Sequence, residues 1–209
     1  VSDSEFETFM SLVERRVKRE PMDSILGYTE FLGICVPFSK DTLTPRQETE
    51  IMVDAIIREN SGRRGLKVLD MCCGSGCIGV AIAKHLGASV TLCDISEKAL
   101  EATKKLAHAN NIDVETICTD LFENVVGEYD IIISNPPYIE SQDMKSLEPE
   151  VAEYDPILAL DGGEDGLDFY RKIIKESKEY LTPNGYLAFE IGYNQRVEVE
   201  KNLKEQGYK

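Results

Sequence analysis

The sequence predicts an α/β protein: a mostly parallel sheet flanked by helices. Three observations predict it. Short apolar runs alternate with helical stretches from Leu66 onward. The first run, Lys67 to Asp70, passes through a tight turn of small residues, Met71 to Cys77, into an apolar helix from Ile78 to Leu86. Three successive runs end at or beside a carboxylate: Asp70, Asp94 and Asp120. Strands alternating with helices imply parallel pairing with helices on both faces. A glycine-containing turn between the first strand and helix is how a nucleotide-binding α/β unit begins.

In chain order, Glu5 to Lys18 reads as a helix, so residues 1–26 make a helix and linker. Tyr28 to Phe38 alternates around Gly33 and reads as a β-hairpin over the cofactor site, within a segment spanning 27–40. The core then occupies 41–209, and the whole of 27–209 forms one domain. Pro45 to Asn60 reads as a helix with Thr44 as N-cap, Pro45 at the first helical position and Gln47 completing a capping box. Ser89 to Cys93 is the second strand, and Ser96 caps a helix from Glu97 to Ala109. Val114 to Cys118 is the third strand and Tyr129 to Ser134 the fourth. A helix from Phe169 to Tyr180 stops at Thr182-Pro183-Asn184-Gly185. Tyr186 to Ile191 is the fifth strand, and Gln195 to Gln206 a last helix. The chain starts at Val1 without Met and stops near where a further strand would begin, so terminal strands are expected to be missing and the sheet edge unprotected.

The loops after these strands carry the chemistry. Gly74 and Gly76 let backbone approach a ligand closely. Asp94, at the end of the second strand, is placed to accept hydrogen bonds from ribose hydroxyls. After the third strand, Asp120 can take an adenine amino hydrogen and Leu121 can cover the ring. The fourth strand runs into Asn135-Pro136-Pro137-Tyr138. The Asn135 side-chain oxygen and the Pro136 carbonyl are both acceptors. Pro137 restricts Pro136 and so fixes where that carbonyl points. Two such acceptors can take both hydrogens of a planar NH2 group, and Tyr138 offers it an aromatic face. A nitrogen gripped in this way can pyramidalise and aim its lone pair at an electrophilic methyl.

At this point the chain resembles the release-factor glutamine N5-methyltransferases of the HemK/PrmC type, which are class I enzymes dependent on S-adenosyl-L-methionine. The resemblance rests on Leu43-Thr44-Pro45-Arg46-Gln47-Glu48-Thr49-Glu50, Gly74-Ser75-Gly76, Asn135-Pro136-Pro137-Tyr138-Ile139, Glu148-Pro149, Ala159-Leu160-Asp161-Gly162-Gly163 and Glu190-Ile191-Gly192. It implies a Rossmann-like class I methyltransferase fold. It implies that Asp70, Cys72, Cys73, Gly74, Ser75, Gly76, Asp94, Ile95, Asp120, Leu121 and Asn135 bind the cofactor, released as S-adenosyl-L-homocysteine. It also implies that Asn135, Pro136, Pro137 and Tyr138 hold the glutamine amide of a release factor. Two positions depart from the pattern. Cys72 stands where the family has glycine, so cofactor binding is expected to survive but to weaken. The segment Thr44 to Glu48 replaces Ile-Pro-Arg-Pro-Glu.

Composition narrows the alternatives. A net charge of −15 argues against a protein that grips phosphates through clustered Lys and Arg. That disfavours the first rival reading, a nucleic-acid adenine or guanine N-methyltransferase, which uses the same tetrapeptide. A second rival, a non-catalytic methyltransferase-fold subunit, draws only on Cys72 and the short termini. The stretch Glu140 to Asp168 is dense in carboxylates with only Lys145 as a base. It reads as a solvated loop or as a lip that steers a basic protein onto the site. The six cysteines include no Cys-x-x-Cys pair, so no metal site is expected, and their use as small apolar residues suits a reducing compartment. His85 and His108 read as structural. No apolar run reaches the roughly 20 residues of a membrane span. A monomeric, cytoplasmic enzyme is expected.

Overall fold

The protein is described from a computed structural model covering residues 2–209. Its elements are α1 (Asp3–Val17), α2 (Met22–Leu26), β1 (Tyr28–Phe31), β2 (Ile34–Pro37), α3 (Gln47–Glu59), β3 (Lys67–Met71), α4 (Cys77–Leu86), β4 (Ser89–Asp94), α5 (Glu97–Ala109), β5 (Glu115–Cys118), β6 (Tyr129–Ser134), α6 (Pro149–Ala152), α7 (Asp168–Glu176), β7 (Leu181–Phe189) and α8 (Arg196–Glu205). The five strands of the main sheet run in the order β5-β4-β3-β6-β7, and every pairing is parallel. The chain reverses direction across the sheet between β3 and β6. In such sheets ligands bind at that switch point, outside the carboxyl ends of the strands.

The core follows from the apolar runs. β3, β4 and β6 are almost entirely buried, as strands covered on both faces must be. One face packs on α3, α4 and α5 through Val53, Ile56, Ile78, Ile82, Leu100 and Leu106. The other packs on α7 through Ile173, with Phe122 stacked on Tyr180 at 4.6 Å between ring centroids. Where β7 joins β6 the register slips between Tyr129 and Ile131. The predicted stop at Thr182 to Gly185 is therefore an irregular start to this strand instead of a loop before it.

Three other expectations change. The hairpin of β1 and β2 does not cover the cleft at the strand ends. It buries Phe31, Ile34 and Val36 with residues of α3 and α4, and the Lys84 ammonium donates to the Gly33 carbonyl at 3.1 Å. The apolar alternation that made it a hairpin is satisfied by the core, which leaves nothing to face a ligand. Second, α3 starts at Gln47 with Arg46 as an extended N-cap and no side-chain cap bond, so the Thr44 capping box does not form. Thr44 and Arg46 are drawn elsewhere, to Asp155. The Arg46 guanidinium meets that carboxylate at 2.6 Å, and the Thr44 N–H donates to it at 3.4 Å. Third, Glu140 to Asp168 is largely exposed, as a solvated loop would be, but it is not without structure. It contains α6 and two single-turn 3-10 helices, and many of its carboxylates are paired. Arg19 holds Glu148 and Glu150, Arg46 holds Asp155, and Arg171 holds Asp165 and Asp168. Among the described residues no helix is long and apolar enough to cross a membrane.

Candidate active site

A cleft of about 330 Å³ opens at the carboxyl ends of β3, β4, β5 and β6. That volume is at the small end of the range for small-molecule sites. Its floor is the turn from Cys72 to Ser75. Asp94 and Ile95 form one wall, and Asp120 and Leu121 the next. Asn135 and Pro137 line the side where β6 ends, and the segment Asp41 to Arg46 lies across the opening.

The floor is built largely from backbone. Cys72, Gly74 and Gly76 all adopt positive φ, at 59°, 53° and 77°. For glycine this conformation is free of steric cost, and for Cys72 it is not. A Cβ on Gly74 would meet nothing within 4 Å, while one on Gly76 would come within 2.6 Å of Thr103 Cγ2. Thr103, buried in α5, also donates its hydroxyl to the Gly74 carbonyl at 3.0 Å. The turn is thus fixed from behind by α5, and its front is left open.

Asp94 ties the wall to the floor. One carboxylate oxygen accepts from Gly74 N–H and the other from Ser96 N–H, each at 2.9 Å. Burial pushes its pKa up, while the N–H groups of Ser96, Gly74 and Ile95 pull it back down. A carboxylate oxygen holds more than one acceptor site, so capacity remains for further donors from the cleft.

Asp70 lies elsewhere. It is fully buried behind the turn and does not line the cleft. One oxygen accepts from Gly79 N–H at 2.9 Å, near the start of α4, and the other has no partner. Burial raises its pKa to about 7, and the charge on Asp94 adds to the effect. A Cβ on Gly79 would lie 3.0 Å from that carboxylate and 2.8 Å from Leu92 Cδ2, so glycine is what allows the helix to approach.

At the end of β6 the decisive atom is Asn135 Oδ1. It is buried and has no hydrogen-bond partner, although Nδ2 of the same amide donates to Thr49 Oγ1 at 3.5 Å. An orphaned buried acceptor is costly unless something fills it. Pro136 and Tyr138 do not line the cleft, and neither does Gly76. Tyr138 packs instead with Leu167 and Tyr170, and its backbone carbonyl accepts from Gln195 Nε2 at 2.9 Å. The turn is pressed from the far side by Gly162, where a Cβ would sit 2.7 Å from Tyr138 Cα.

Comparison with known proteins agrees with this geometry. Residues 37–154 match the Methyltransferase small domain family. The whole chain is 40% identical to a release factor glutamine methyltransferase of Agrobacterium fabrum, covering 74% of that relative. It is 38% identical over its whole length to the release factor glutamine methyltransferase of Clostridium botulinum, covering 76% of it. The chain belongs to the release factor glutamine methyltransferase family. Its fold is that of a class I methyltransferase. The fold is shared with the solved Mtq2-Trm112 complex of E. cuniculi at TM-score 0.59, with 24% identity, 81% of this chain and 86% of that one covered.

Within this glutamine methyltransferase, the structure brings Cys72 to Ser75, Asp94, Ile95, Asp120, Leu121, Asn135 and Pro137 together on one cleft. Residues that the strand-end reading did not assign complete it. Phe169 and Lys172 reach in from α7, and Pro156, Leu158 and Ala159 come from the loop before it. Thr49, which also lines the cleft, supports the Asn135-to-Tyr138 turn together with Glu190 and Gln195. Thr49 and Glu190 lie in segments whose pattern marked the resemblance, which was the only signal in the sequence pointing to them.

Proposed function

We propose that this protein transfers a methyl group from S-adenosyl-L-methionine to the side-chain amide nitrogen of the glutamine in the Gly-Gly-Gln motif of peptide-chain release factors, and that it does so in the cytoplasm. The observation that carries this reading is Asn135 Oδ1, a buried acceptor without a partner beside a cleft of nucleotide-binding topology. The cleft suits the cofactor. Asp94 retains acceptor capacity toward ribose hydroxyls, and Gly74 leaves the turn open for the methionine portion. Leu121 and Phe169 offer apolar surface to an adenine. Arg46, one of its cations, is already committed to Asp155. Bound there, S-adenosyl-L-methionine would supply a methyl group on a positively charged sulfur.

The protein's own part is to hold the amide. Asn135 Oδ1 would accept one N–H of the glutamine, and the Pro136 carbonyl, set back from the lining of the cleft, the other. Both bonds localise the lone pair on nitrogen, because delocalisation into the carbonyl needs a planar NH2. The same acceptors stabilise the positive charge that builds on nitrogen as it is alkylated, and one of the two N–H protons then passes to solvent to leave the neutral N-methyl amide. Pro137 keeps the Pro136 peptide rigid, so little reorganisation is required at that moment.

The test is transfer of labelled methyl to a purified release factor, beside its Gly-Gly-Gln→Gly-Gly-Ala variant and bulk nucleic acid. Label on the wild-type factor alone is the expected result. Label on nucleic acid, or equal label on the Gly-Gly-Ala variant, would overturn the assignment.

A further inference from the structure

Asparagine is nearly symmetric in shape about its final bond, so which end of the amide faces a substrate is decided by hydrogen bonding alone. In this site the decision is made two residues away. The Thr49 hydroxyl donates its single hydrogen to Glu190 Oε2 at 2.6 Å. Toward Asn135 that hydroxyl can then only accept, and it takes a hydrogen from Nδ2 at 3.5 Å. A reversed Asn135 would set its oxygen against a hydroxyl oxygen with no hydrogen to give and a carboxylate behind it. Glu190 is itself clamped. Its N–H donates to the carbonyl of Ser134, the residue before Asn135, at 3.1 Å, and its carbonyl accepts from the Tyr170 hydroxyl at 2.8 Å.

We infer that Glu190 and Thr49 are positioning residues for amide methylation: the carboxylate, acting through the hydroxyl, holds Asn135 with its oxygen free and its NH2 turned away. This rests on the function proposed above. The relay fits with Asn135 Oδ1 being unpartnered despite its burial, since a bond from the Thr49 hydroxyl is the one the carboxylate forbids. It also places a negative charge behind the acceptor that meets a nitrogen becoming positive.

The charge state of Glu190 is therefore the control point. Burial raises its pKa, bonds from Thr49 and Asn135 lower it, Glu48 raises it and Arg46 lowers it. Tyr138 and Tyr170 also face this carboxylate, and each has its own pKa raised by burial first and then by a neighbouring charge. A protonated Glu190 has a hydrogen of its own to give the Thr49 oxygen, which turns that hydroxyl into a donor toward Asn135 and lets the amide reverse. Activity should then fall on the acid side at a pH above that of an ordinary glutamate.

The experiment compares wild type with Glu190→Gln, Thr49→Val and Thr49→Ser on release factor at saturating S-adenosyl-L-methionine. The first two should lose roughly ten- to a hundredfold in kcat, as expected when a placed hydrogen bond is scrambled. Their affinity for S-adenosyl-L-methionine by calorimetry should stay within about twofold of wild type, because the relay makes no hydrogen bond to Asp94 or to the Cys72-to-Ser75 turn. Thr49→Ser keeps the hydroxyl and should keep the rate. The acid limb of the kcat profile should disappear in Glu190→Gln. A wild-type rate in Glu190→Gln would overturn the inference, and so would equal losses of kcat, cofactor affinity and melting temperature in both loss variants. If wild type itself leaves release factor unmethylated, the proposed function fails. The relay is then judged on labelled protein: the Asn135 side-chain NH2 resonances should shift with pH in wild type and not in Glu190→Gln. Their failure to move would overturn it.

Discussion

The two halves of the cleft are built by opposite means. The floor and the Asp94 wall come from residues 70–96, and their supporting bonds stay within residues 70–103: Gly74 to Asp94, Gly79 to Asp70, Ser96 to Asp94 and Thr103 to Gly74. The Asn135 side is assembled from Thr49, Gly162 and the pair Glu190 and Gln195, which come from three distant parts of the chain. A half made of local contacts can form with the strand–turn–helix unit that carries it. A half made of distant contacts forms only when the whole sheet is complete. This separation teaches that cofactor binding and amide alignment can fail independently, and each substitution below is a way to find where the boundary lies.

The largest effect belongs to Asn135→Ala. It removes the orphaned acceptor while leaving Asp94, Leu121 and the Cys72-to-Ser75 turn in place. Loss of one preorganised group aimed at developing charge costs on the order of 100- to 1000-fold in kcat. Affinity for S-adenosyl-L-methionine, read by calorimetry, should change little. A cofactor Kd that rose in proportion to the loss of kcat would erase the boundary between the halves.

Asp94→Asn probes the opposite side. It keeps the shape but removes the charge that accepts from two backbone N–H groups, and one of the two oxygens becomes a donor. A charge-assisted bond is worth about 1.5–3 kcal/mol, so the cofactor Kd should rise about ten- to a hundredfold. With saturating cofactor, kcat should stay within a few-fold of wild type. A fall in kcat that saturation cannot rescue would show that the wall also aligns the amide side.

The same asymmetry decides what could be read in the sequence. Strand ends, the glycine turn and the Ser96 cap are local signals, and the structure keeps them within a residue or two: Ser96 Oγ accepts from Ala99 N–H at 3.3 Å, as a cap should. The capping box and the hairpin mislead through distant partners, and Asp70 through a near one. Thr44-Pro45-Arg46-Gln47 has every mark of a capping box, yet Asp155, more than a hundred residues on, holds the segment extended. The hairpin's alternation is real, but which layer it would cover depends on where α3 and α4 lie. Asp70 was expected in the cleft with Asp94 because both end a strand. They differ because the side chain of Asp70 turns under α4, where Gly79 leaves it room.

Asp70 also supplies a pH test confined to the local half. Its folded-state pKa, raised to about 7 by burial, lies above its ordinary 3.8. Between those values the folded state holds a proton that the unfolded state has released. Stability therefore falls as pH rises through this window and levels off above it. Asp70→Asn stays neutral throughout. It should raise the melting temperature at pH 8, by an amount on the order of 1–2 kcal/mol in stability, and do little at pH 4 to 5. Equal changes at both pH values would mean that this carboxyl does not titrate in the folded protein.

The smallest effect is expected at Cys72, and it sets two terms of similar size against each other. The residue holds φ at 59°, which costs a non-glycine side chain about 1–2 kcal/mol. Cys72→Gly removes that strain. It also frees the unfolded backbone, at a cost of about 0.5–1 kcal/mol, and deletes a half-buried thiol that packs beside Leu69 and Met71. Burial pushes the Cys72 thiol's pKa well above the usual range, which disfavours the thiolate. The net change in stability should thus lie within about 1 kcal/mol of zero. Cofactor affinity is the sharper readout, since the turn then approaches its ligand without a side chain at that position. A rise of a few-fold in affinity with unchanged kcat would place Cys72 wholly in the local half. A change in kcat at saturating cofactor would instead tie it to the amide side, through Ser134, whose hydroxyl donates to the Met71 carbonyl at 2.6 Å and which immediately precedes Asn135.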